Sequence, residues 1–104
     1  MMKNKSEPPK HLSPAAKKEF RKVLELYVLD DVGVRVLVTG LEAWDRAWKA
    51  RETIDRHGMT IADRCGHPKV HPLIAAERDA RSQYLQAMKL LNFSFGGETE
   101  KEWD

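Results

Sequence analysis

The sequence predicts an all-α fold: a basic N-terminal helix, a long central helix and a C-terminal helix, arranged as a helical hairpin between flexible tails. Three observations carry that expectation. A sharply specified helix start stands at Ser13-Pro14, an apolar stripe at three- to four-residue spacing runs through the centre of the chain, and a broader stripe follows His71-Pro72. The resulting division is a basic flexible arm over 1–13, a single helical domain over 14–93 and an acidic tail over 94–104. A chain of 104 residues buries only a modest core on its own, so self-association is expected.

Within the arm, Pro8 and Pro9 fix φ and disfavour helix. Ser13 is a good N-cap, and Pro14 suits the first helical position, whose N–H has no partner in any case. Helix one is expected from Pro14 to about Val28. Ala16, Phe20, Val23, Leu24 and Tyr27 recur at helical spacing, and Lys17, Lys18, Arg21 and Lys22 cover the other side. Leu29-Asp30-Asp31 reads as a turn in which one of the two aspartates caps the next element.

That element spans Asp31 to His57. Gly33 and Gly40 bracket Val34-Arg35-Val36-Leu37-Val38-Thr39, whose composition is strand-like, so a strand is the competing reading. Helix is preferred because Leu37, Leu41, Trp44 and Trp48 form one stripe that continues through Gly40, with charged residues on the complementary faces. A glycine costs about 1 kcal/mol against alanine inside a helix, so a bend or a close helix contact is expected at Gly40. Gly58 is the natural C-terminal cap. Met59 to Val70 reads as a loop. Helix three is expected from Pro72, with Leu73, Ile74, Ala76, Ala80, Tyr84, Leu85, Met88 and Leu91 on its apolar face and Phe93, Phe95 and Gly96-Gly97 at its end.

Charge is unevenly distributed, although the formal net charge is only +2. Residues 1–22 carry seven Lys/Arg against two Glu, and residues 94–104 carry one against four. The basic end attracts nucleic acid or another polyanion. Lys10, Lys17, Lys18, Arg21 and Lys22 are the candidate phosphate contacts, and nothing in them encodes base readout. Leu37, Leu41, Trp44 and Trp48 are the candidate oligomerisation stripe, because they are too many large apolar groups for a thin three-helix monomer to hide. The acidic tail, with Trp103 as an apolar anchor, is a candidate docking peptide for a partner.

Enzymatic chemistry has no positive support, since no Gly-rich phosphate loop, Gly-x-Ser-x-Gly or His-Glu-x2-His is present. The single Cys65 cannot form an internal disulfide, which points to a reducing compartment. The first residues lack the apolar run of a signal peptide and no stretch is long enough to span a bilayer, so a cytoplasmic protein without membrane contact is expected. His57, Cys65, His67 and His71 are a set with metal-ligand chemistry. They mix helix ends with a loop and have no paired cysteines, so no metal and no cofactor is expected.

Three segments resemble one family: Pro8-Pro9-Lys10-His11-Leu12-Ser13-Pro14-Ala15-Ala16-Lys17-Lys18-Glu19-Phe20, Glu42-Ala43-Trp44-Asp45-Arg46-Ala47-Trp48, and His71-Pro72-Leu73-Ile74-Ala75-Ala76-Glu77-Arg78-Asp79-Ala80. Together they resemble the small subunit of tailed-phage terminase, of the P-twenty-seven type, over about residues 8–93. The resemblance implies a helical, ring-forming, non-catalytic packaging factor. Its partners would be double-stranded viral DNA, further copies of itself, and a large subunit that holds the ATPase and nuclease. The Asp63-Arg64-Cys65-Gly66-His67 loop and the valine-rich 32–38 run depart from the family pattern. A small helical DNA-binding regulator acting as a dimer is the alternative, and oligomeric mass separates the two.

Overall fold

The computed structural model describes residues 7–91. In chain order the elements are α1 (Pro14–Leu26), α2 (Asp31–His57), β1 (Thr60–Ala62), β2 (Pro68–Val70) and α3 (Leu73–Leu90). Helices α2 and α3 form the expected antiparallel hairpin, as the pairing of Gly40 with Ala87 and of Arg46 with Gln83 shows. Helix α1 lies across the first half of α2.

Each helix start is built from a side chain that takes over an orphan N–H. Ser13 Oγ accepts from Ala16 N–H at 3.1 Å, and Asp30 Oδ1 accepts from Gly33 N–H at 2.8 Å. The valine-rich run is helical, because Leu37 and Leu41 must face the core together with α1. Helix α1 stops at Leu26, two residues before the expected end, where Tyr27 turns extended at φ −134° and ψ 148°. Helix α3 starts at Leu73 rather than Pro72, and the side chain that caps it is His71, whose Nδ1 accepts from Leu73 N–H at 3.1 Å.

Two expectations are corrected. The 59–70 segment is not a plain loop: β1 and β2 pair antiparallel, with Thr60 opposite Val70 and Ala62 opposite Pro68. Its turn is closed by the Asp63 side chain and by Gly66 at φ 84°, a left-handed conformation that favours glycine. Nor is the arm free up to residue 13. Leu12 is buried in the core beside Ala16, Phe20, Val23, Leu24, Leu37 and Leu41, His11 Nε2 meets Glu42 Oε2 at 2.7 Å, and Ser13 N–H and Oγ–H both donate to the Asp45 carboxylate, at 2.9 and 2.6 Å. Burying Leu12 draws residues 11–13, here the strap, onto α2, and the two carboxylates hold it there.

At Gly40 the expected close contact is present. A Cβ placed there would stand 2.8 Å from the Ala87 Cβ and 3.1 Å from the Met88 Cε. The α2–α3 seam is made of small residues, with Gly40, Ala43, Ala50, Ala80 and Ala87 all buried. Gly40→Ala gains up to about 1 kcal/mol of helix propensity. It also pushes against a Cβ that cannot rotate away, and overpacking of this kind costs roughly 1–3 kcal/mol. A net loss of about 1 kcal/mol is expected in urea unfolding. Combining it with Ala87→Gly should show favourable coupling between the two sites, and strictly additive effects would remove this contact as the cause.

Candidate nucleic-acid interface

The inward side of α1 is apolar, with Ala16, Phe20, Val23 and Leu24 buried, so helical periodicity turns the basic residues outward. Lys18, Arg21 and Lys22 are exposed, Lys17 is half-buried, and Lys10 is exposed in the turn that leads into the strap. Among the described residues none of these five is ion-paired with a carboxylate. Glu42 and Asp45, the carboxylates of α2 nearest the start of α1, are engaged by His11 and Ser13. Glu25 shares the outer face and lowers its charge, but the row remains cationic.

Lys18 and Lys22 also border a groove of about 420 Å³ between α1, α2 and α3, whose other walls include Leu41, Trp44 and Tyr84. Burial, with the Glu19 carboxylate as a further contribution, raises the Tyr84 phenol above its ordinary value. Trp44 and Trp48 meet edge to face, with ring centroids 5.8 Å apart.

The oligomerisation stripe read from the sequence divides. Leu37 and Leu41 are 0% and 1% exposed and belong to the protomer's own core, because α1 and the strap cover them. Trp44 packs partly against that core. Trp48 is 50% exposed: α1 starts opposite Asp45 and runs back toward the start of α2, so it does not cover Trp48. Trp103 lies outside the described residues.

The four candidate metal ligands do not come together. His57 and His71 stack with centroids 5.6 Å apart, and His57 Nδ1 is 3.4 Å from His71 Nε2. Because His71 Nδ1 accepts from Leu73 N–H, the neutral ring carries its proton on Nε2, which donates toward His57. That tautomer leaves no lone pair on His71 Nε2 for a metal. Cys65 and His67 instead sit with Asp63 at the hairpin tip. The sequence reading missed Asp63 there, although an aspartate three residues before a glycine is a turn signal.

A family model described as phage terminase, small subunit, matches residues 16–99. The chain belongs to that family. No curated protein and no solved structure matches it significantly. In this terminase small subunit the match takes in Lys17, Lys18, Arg21 and Lys22 together with α2, the hairpin and α3, and leaves Lys10 and the strap before it. Among the described residues no helix is long and apolar enough to cross a membrane.

Proposed function

We propose that this terminase small subunit binds double-stranded viral DNA through Lys10, Lys17, Lys18, Arg21 and Lys22. It then delivers that DNA to the large subunit, which performs the ATP-driven packaging and the cutting. The observation that carries the reading is the outward row of cations on α1, none of them ion-paired among the described residues, in a chain of this family. Unpaired cations attract phosphate without first breaking an internal ion pair, and their affinity is independent of base sequence. The subunit's own role is recognition and presentation, without catalysis, in the cytoplasm of an infected or lysogenic bacterial host. Trp103 and the acidic tail are the proposed contact with the large subunit. Gel-shift titration against the phage end sequence, with and without that subunit, tests the whole scheme. Binding by the small subunit alone, and a ternary complex on adding the large one, are expected; no binding at low salt would reject it.

The DNA-binding form is a homo-oligomeric ring, in which the exposed Trp48 is covered by a neighbouring copy. Trp48→Glu should then give smaller particles in light scattering while the thermal transition of the protomer stays within a few degrees. Trp44 is unsuited to this test, because it also packs on the core. An unchanged mass for Trp48→Glu would remove this face from the assembly, and a native dimer would favour the regulator instead.

A further inference from the structure

We propose that Asp63, Cys65 and His67, at the tip of the β1–β2 hairpin, form a three-ligand site for a borderline divalent metal ion, with zinc the best fit. One donor atom from each residue lies within 4.8 Å of the other two. Carboxylate oxygen, thiolate sulfur and imidazole nitrogen are the three donor types zinc accepts, at about 2.0–2.3 Å from the ion. Bonds of that length around a tetrahedral centre put the donors roughly 3.2–3.7 Å apart. Closing the gap takes about 1 Å of movement, which exposed side chains supply by small torsional changes without any shift of the backbone. A thiolate beside an imidazole also discriminates against magnesium and calcium, which take oxygen donors.

The backbone beneath the three residues is held in place. Asp63 Oδ1 accepts from Cys65 N–H and His67 N–H, both at 2.8 Å, and Asp63 N–H donates to the His67 carbonyl at 2.8 Å. Oδ1 is therefore committed to the turn, and Oδ2, which lies 3.8 Å from His67 Nδ1, is the oxygen left for an ion. The stacked His57–His71 pair takes no part, because the His71 cap on α3 keeps a proton on the nitrogen that would coordinate. All three ligands are exposed, so the fourth position is open to water or to a donor from another molecule. The expectation of no metal rested on His57, Cys65, His67 and His71 as the ligand set, and this set is different.

Titrating the full reduced chain with Co²⁺, then displacing it with Zn²⁺, tests the site. One equivalent per chain is expected, with the thiolate-to-cobalt charge-transfer band in the near ultraviolet. Cys65→Ser should abolish the band, and His67→Ala should weaken binding by roughly tenfold or more, at least the effect seen for residues that merely support a ligand. Asp63→Asn should do the same, and it isolates the ligand role, since the amide oxygen still accepts the two turn N–H groups while the anionic Oδ2 is gone. His57→Ala should leave the titration unchanged. On the unmodified chain, saturating Zn²⁺ should slow alkylation of the exposed Cys65 thiol. Absence of the thiolate band, undiminished alkylation under zinc, or equal weakening by His57→Ala would overturn the site.

Discussion

Phe20→Ala is expected to lower the stability of the protomer by about 3–5 kcal/mol, and Leu37→Ala or Leu41→Ala by about 2–5 kcal/mol each. Among the described residues these are the three largest fully buried side chains, and they meet in the cluster that joins the strap, α1 and α2. Truncation removes the transfer free energy of the lost carbons and leaves a cavity that the neighbouring helices fill only in part. A domain of this size has a total stability on the order of 5–15 kcal/mol, so either loss takes away a large share of it. The outcome also distinguishes the two roles open to Leu37 and Leu41. A core residue lowers the urea midpoint at every protein concentration. An interface residue leaves the protomer intact and makes the midpoint depend on concentration. The burial of both leucines within one chain predicts the first behaviour, and a loss seen only on dilution would return them to an intersubunit contact.

What the sequence made legible was local. Ser13-Pro14, Asp30 and Gly58 bound their helices through chemistry confined to three or four residues, and the helix over the valine run was readable because its apolar stripe does not break at Gly40. What was not legible depended on partners far along the chain. Ser13 bonds Asp45, 32 residues away, and no spacing rule announces that pair, so the strap read as a free arm. The hairpin consists of three residue pairs, exposed apart from the half-buried Ile61 and including Pro68, and it is too short to mark itself as a strand by length or sequence alternation. The stripe through Leu37 and Trp48 was correctly read as apolar. Periodicity does not say whose surface covers it, and the answer changes within one turn, where α1 ends its coverage of α2. The cationic row was legible in position. That the row carries no ion pair among the described residues was not, because pairing depends on side-chain positions that spacing does not give.

Replacing Lys17, Lys18, Arg21 and Lys22 together by glutamine is expected to lower DNA affinity by about a hundredfold or more near physiological salt, and to flatten its salt dependence. Each phosphate contact releases condensed counterions and contributes about 0.9 to the slope of log affinity against log salt on duplex DNA. Four lost contacts therefore make the slope shallower by about 3.6 for each protomer engaged, and in an assembly with several protomers on the DNA the effect multiplies. The fold should survive, since three of the four side chains are exposed, none is ion-paired among the described residues, and such surface changes usually stay within about 0.5 kcal/mol each. Slope and affinity must be read together, because a damaged fold lowers affinity without a defined change in slope, whereas a phosphate contact moves both. Lys10→Gln alone should give about one quarter of the slope change while leaving Leu12 and Ser13 docked. If the fourfold variant binds with the original slope, α1 is not the phosphate-contacting face. The exposed Lys49, Arg51 and Arg56 on the second half of α2, beyond the reach of the strap, would then be the cations to neutralise next.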